Sequence, residues 1–194
     1  MVSADGGGLG LRVTGPLRRI LVDGGSGAGK TSFARRLQAH WSELCSEQVQ
    51  LVSLDDCYPG WDGLAVGSRM VVDDILHPTT PGYRRWDWER NRPADWVELD
   101  PGRPMVVEGC GALSVASAPL AGLGIWLELE HAERKRRALA RDGNGYAPWW
   151  DRWAAQEAEH WRLNRPWLLA TLVIRVAPEA SQEALNPLKT MTTG

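Results

Sequence analysis

Apolar residues along this chain come in two rhythms. Short, nearly unbroken apolar runs recur at 17–23 (LRRILVD), 49–54 (VQLVSL), 104–109 (PMVVEG), 124–130 (GIWLELE) and 168–176 (LLATLVIRV). Runs of this length without polar alternation predict strands buried on both faces of a parallel sheet. Between them the period changes. Phe33, Leu37, Trp41 and Leu44 fall at helical spacing and predict a helix over 30–45. Helices are also expected over 131–142 and 149–164, with shorter ones near 68–76 and 112–120. Strand and helix alternate, so the expected fold class is α/β, a parallel sheet with helices on both faces. Residues 55–103, rich in Pro, Gly, Trp and charge, are too many for a simple connection and read as a functional insertion. No internal repeat is visible. One domain is expected over 17–177, with tails at 1–16 and 178–194; the first tail is Gly-rich and lacks an apolar signal core.

Composition narrows the function classes. The 194 residues are 43% hydrophobic and 24% charged, which suits one globular core. A net charge of −2 argues against broad binding to nucleic acid or an anionic membrane, and no apolar run approaches the roughly 20 residues of a membrane helix. Cys45, Cys57 and Cys110 are too scattered for a disulfide scaffold or a zinc ribbon, so a reduced, cytoplasmic protein, monomer or homodimer, is the expectation. Lysine is scarce (Lys30, Lys135, Lys189), which makes Lys30 conspicuous. The 11 tryptophans against one phenylalanine are packing residues or, near a polar cleft, the walls of a ligand pocket.

The segment Gly24-Gly25-Ser26-Gly27-Ala28-Gly29-Lys30-Thr31, followed by Ser32, fulfils the pattern G-x-x-x-x-G-K-[ST] between a predicted strand and a predicted helix. Glycines there let backbone N–H groups converge on phosphate oxygens, and the helix start adds partial positive charge. Lys30 is expected at the β- and γ-phosphates of ATP and the Thr31 hydroxyl at Mg²⁺. Downstream, SLDDCY places Asp55 and Asp56 at the mouth of the second strand, where two carboxylates need water, a cation or a substrate to answer them. Asp55 is the candidate base for an acceptor hydroxyl and a neighbour of Mg²⁺; Asp56 reads as a turn cap or a neighbour of Mg²⁺. Glu108 closes the third apolar run and is a candidate for a metal-bound water or a substrate hydroxyl. In PGYRRWDWERN, Asp87 lies between Trp86 and Trp88, beside Arg84 and Arg85, a set suited to stacking or clamping an acceptor.

VDGGSGAGKTS, SLDDCY, VVEG and RKRRALARD, in this order and spacing, resemble the uridine kinase, phosphoribulokinase and pantothenate kinase group of P-loop kinases. The resemblance implies a P-loop NTPase fold of the nucleoside/nucleotide-kinase-like type with an Arg-bearing lid over 131–148. It implies that Asp55 receives the acceptor proton, that Tyr58 is the second aromatic of a D-x-[FY]-Y pattern in which Cys57 replaces the first, and that Glu108-Gly109 is the acidic pair closing a Walker B strand. It further implies that Asp87 engages sugar hydroxyls and that Arg137 and Arg141, within R-R-x-x-x-R-D, close over the triphosphate. The expected activity is transfer of the γ-phosphate of ATP to a hydroxyl of a nucleoside, sugar or related metabolite. A nucleotide-dependent switch or ATPase acting on a protein partner is the alternative from another class.

Overall fold

The computed structural model describes residues 18–177; the tails expected at 1–16 and 178–194 lie outside them. In chain order the elements are β1 (Arg19–Gly24), α1 (Lys30–Cys45), β2 (Gln50–Ser53), α2 (Leu64–Met70), β3 (Gly82–Asp87) and β4 (Arg92–Glu98). There follow β5 (Met105–Glu108), β6 (Leu123–Glu128), α3 (His131–Asp142), α4 (Trp150–Asn164), the short α5 (Pro166–Leu169) and β7 (Leu172–Arg175). Five strands form a parallel sheet in the order β2-β5-β1-β6-β7. The chain thus starts at the centre and builds outward to both edges.

The apolar runs explain that placement. β1 sits between β5 and β6, and its Leu21 and Val22 are fully buried on opposite faces. Ile20 and Val22 pack with Ala34 and, around them, Phe33, Leu37 and Trp41 of α1. Leu21, Val52 and Val107 point the other way, into a core shared with Leu64 of α2 and with Trp150 and Trp153 of α4. Helices therefore cover both faces, as the alternation predicts.

Three stretches depart from the expected elements. The 112–120 run is helical only in a tight turn over Ala118–Leu120. Ser114 and Ser117 exchange side-chain-to-backbone hydrogen bonds of 2.8 and 3.0 Å just before it, which offers that backbone an alternative to a helix. The last strand begins at Leu172, because Arg165 turns left-handed (φ 46°) and Pro166 starts α5. Inside 55–103 lies an antiparallel hairpin, β3–β4, that the pattern did not reveal; a bulge between Arg84 and Trp86 breaks its alternation. The helix expected near 68–76 is present as α2 continued by a wider turn over Val71–Ile75, with Val71 and Ile75 in the core.

Candidate active site

The carboxyl ends of β1, β2 and β5 meet at one edge of the sheet, where ligands bind in open parallel sheets. β1 delivers the Gly-rich turn. Gly27 (φ 81°) and Gly29 (φ 91°) are left-handed, and no side chain caps α1. The orphan N–H groups of its first turn are therefore left to a ligand. Close approach also demands glycine at positions 25 and 27. A Cβ on Gly27 would stand 2.1 Å from the Arg134 carbonyl oxygen, and one on Gly25 would stand 2.1 Å from the Arg134 guanidinium. Lys30 is buried under the turn and donates to the Gly25 carbonyl at 3.2 Å and to Cys110 Sγ at 3.2 Å. Burial opposes its charge, but Cys110, Glu108, Glu157 and Asp55 around it outweigh that, so its pKa lies above the ordinary lysine value.

Glu108 is the convergence point. It is buried and accepts from Thr31 Oγ at 3.0 Å and from Ser53 Oγ at 2.7 Å. Burial pushes its pKa up, against the pull of Lys30 and the two hydroxyls. These oxygens, one of them a carboxylate, are the donor chemistry that suits a hard divalent cation. Among the described residues no group of three or more His, Cys, Asp or Glu is gathered for a metal. A Mg²⁺ held largely by phosphate and water, with one or two protein ligands, fits that arrangement.

Asp55 lies in the tight turn Leu54–Asp56 that follows β2. Its carboxylate is exposed and takes no hydrogen bond from any described residue, while its backbone oxygen accepts from Trp88 Nε1 at 2.8 Å. Desolvation raises the Asp56 pKa, against the pull of the Arg85 charge. Cys57 faces the core, where burial and the neighbouring Asp56 push its thiol up to about 12. The missing aromatic thus leaves a packing position changed rather than a pocket wall. Tyr58 is buried, donates to the Cys110 carbonyl at 2.7 Å, and meets Trp153 edge-on at 4.8 Å.

Above Asp55 opens a cavity of about 370 Å³ with Tyr58, Trp61, Trp88, Tyr146 and Trp153 in its walls. Trp61 organises them. It stacks on Tyr146 (5.4 Å, 16°) and on Trp149 (5.4 Å, 7°), and meets Trp88 at 5.1 Å. Ser26, Arg141 and Asp142 also border this space. Trp86 and Asp87 are not brought to it. Asp87 accepts from the Arg90 backbone at 2.9 Å and from its guanidinium at 3.0 Å, which fixes the hairpin turn and holds its carboxyl below the usual range. The Trp86 indole N–H is buried without a partner among the described residues.

A second depression, of about 620 Å³, runs from Gly27, Ala28, Gly29 and Ser32 to Arg137 and Arg141 of α3. Arg137 is held by Glu133 at 2.8 Å and donates to the Ala177 carbonyl at 3.0 Å. Arg141 pairs with Asp142 at 2.6 and 2.8 Å, and it alone of these arginines lines both the groove and the aromatic cavity. Arg134 differs from the rest of its run. It is buried, ion-paired to Glu157 at 3.1 Å, with the Trp161 ring 5.2 Å from its guanidinium carbon.

No family model and no curated protein matches this chain. Solved structures do. One is described as a possible uridine kinase from Bacillus stearothermophilus, 15% identical, with a TM-score of 0.57 over 83% of this chain and 90% of that one. Another is a putative fructose transport system kinase from Silicibacter sp. TM1040, 16% identical, with a TM-score of 0.51 over 81% of this chain and 89% of that one. The fold is that of the α/β P-loop NTPases. Within it, sequence reasoning missed the place of Arg134, Glu157 and Cys110 beneath the loop and that of Trp61, Tyr146 and Trp153 around the cavity. A signal existed for some of them: Trp61 directly follows Pro59-Gly60, a turn placed after the acidic pair. Nothing local marks Glu157, which arrives from 131 positions away along the chain.

Proposed function

We propose that this protein is a small-molecule kinase that transfers the γ-phosphate of ATP to a hydroxyl of an acceptor held in the aromatic cavity. The observation that carries this reading is the position of Arg141, whose side chain borders both the groove along the P-loop and the cavity over Asp55. Two compartments joined at an arginine are what a reaction between a nucleotide and a second substrate requires. In this reading the N–H groups of Gly27–Thr31 and Lys30 hold the triphosphate, and Thr31 and Glu108 hold Mg²⁺ with Asp55 beside it. When bound, the cation would neutralise charge on the phosphates. Asp55, whose carboxylate takes no hydrogen bond from any described residue, orients the acceptor hydroxyl and takes its proton as the new O–P bond forms and ADP leaves. Arg141 and Arg137 offset charge on the transferred group. Tyr58 supports the floor of the cavity.

The test is ATP consumption across a panel of hydroxyl compounds, with Lys30→Ala as the control. Acceptor-dependent turnover that vanishes in Lys30→Ala supports the reading. Hydrolysis indifferent to every acceptor would sink it in favour of a nucleotide switch.

A further inference from the structure

The walls of the aromatic cavity bear on which acceptor it takes. Five aromatic rings line it, and two of their polar atoms are already engaged. The Tyr58 hydroxyl is spent on the Cys110 carbonyl at 2.7 Å and the Trp88 indole N–H on the Asp55 carbonyl at 2.8 Å. The charged pair at the rim, Arg141 and Asp142, is closed on itself. Asp87, the carboxylate best suited to a sugar diol, is committed to Arg90 on the hairpin. What remains on these walls for a ligand is the Asp55 carboxylate, the Tyr146 hydroxyl and the indole N–H groups of Trp61 and Trp153.

A polyhydroxylated acceptor would leave most of its hydroxyls facing ring faces, unpaired, at a cost for each. A flat ring with a single hydroxyl arm matches the supply. Its faces stack on the walls, a ring atom can accept from an indole, and the one hydroxyl meets Asp55. At about 370 Å³ the cavity stands near the low end of small-molecule sites, enough for one ring system and a short arm.

We infer that the cavity takes an uncharged planar aromatic or heteroaromatic alcohol, with Trp61, Trp88 and Trp153 as the residues that determine specificity. As an acceptor assignment this rests on the kinase reading; as a binding assignment it does not. The probes are 3-pyridylmethanol and 2-phenylethanol, compared with D-glucose, uridine and choline. Tryptophan fluorescence is read in the presence of a non-hydrolysable ATP analogue, and ADP release in the presence of ATP and Mg²⁺.

The expected result is saturable quenching by the planar alcohols and ADP release at least about tenfold faster than with the other three. Trp88→Ala should weaken their binding about tenfold. Trp88→Phe, which keeps a ring face but not the N–H, should bind them nearly as the parent does. Planar alcohols that bind in this pattern without stimulating ADP release support the cavity assignment and overturn these alcohols as acceptors. Turnover of D-glucose, uridine or choline with the planar alcohols rejected overturns the inference and leaves the kinase reading standing. Absence of quenching by either planar alcohol also overturns it.

Discussion

Arg134 on α3 and Glu157 on α4 meet 3.1 Å apart inside the protein, and each also grips the same P-loop residue. Glu157 Oε1 accepts from the Ser26 N–H at 2.7 Å, and Arg134 Nη1 donates to the Ser26 carbonyl at 3.2 Å. A buried ion pair thus clamps one residue of the phosphate loop between two helices that come from far along the chain.

Breaking one side of such a pair strands the other charge. Arg134→Met should therefore cost about 3–5 kcal/mol, roughly a 10 °C fall in melting temperature. Glu157→Gln should cost less, because the amide keeps an acceptor for Ser26. The double variant Arg134→Met/Glu157→Met should lose less than the sum of the single losses, since no uncompensated charge remains. Thermal melts of the parent, Arg134→Met, Glu157→Met and the double variant make the cycle; strict additivity would show that the pair contributes nothing as a pair.

The glycines of the loop separate two effects that a motif lumps together. At Gly27 a side chain meets the Arg134 backbone, whereas at Gly29 nothing lies within 4 Å and only the left-handed backbone (φ 91°) resists substitution. Gly29→Ala should cost about 1–2 kcal/mol. Gly27→Ala should cost clearly more and should lower affinity for a fluorescent ATP analogue by more than tenfold, because α3 must move off the loop. Equal effects at the two positions would mean that contact with α3 does not matter.

The legible part of this protein was the part written in local pattern. The apolar runs named all five sheet strands, and the spacing of Phe33, Leu37 and Trp41 marked α1, because burial on one or both faces leaves a periodic trace. The P-loop was legible because its geometry needs glycine at fixed places. The hairpin β3–β4 was not, since its bulge and its mostly exposed residues erase the alternation. Nor was the clamp: Glu157 reads as one polar residue among several on α4, and its partners Ser26 and Arg134 are fixed by tertiary packing alone. Asp87 has a partner that the sequence reading left out: Arg90, three residues on, pairs with it locally.

Glu133 ties two arginines of α3 to pH. Its carboxylate accepts from Arg136 at 2.6 Å and from Arg137 at 2.8 Å, and these bonds hold its pKa down at about 2. A carboxyl depressed in the folded state contributes stability that is fully present above its ordinary value, 4.5, and is lost as pH falls toward about 2. The melting temperature should therefore fall across that window more steeply in the parent than in Glu133→Gln. Because Arg137 lines the groove, the same variant should also weaken ATP-analogue binding a few-fold at neutral pH. Parallel acid limbs in the two proteins would remove Glu133 from the pH response.

Asp55 and its neighbour make the sharpest contrast in the site. The Asp55 carboxylate borders the cavity without a hydrogen bond from any described residue, whereas Asp56, also exposed, is absent from the cavity wall and feels the charge of Arg85. Both are next to each other in one turn, so a change in turn geometry would affect them alike. Asp55→Asn preserves shape and should lower acceptor-dependent turnover by about 10²–10⁴-fold, with ATP-analogue affinity within about twofold of the parent. Asp56→Asn should leave turnover within about threefold. Steady-state ADP release and equilibrium nucleotide binding on the two variants settle the assignment: comparable losses at both positions would point to a damaged turn, and full activity in Asp55→Asn would remove it as the base.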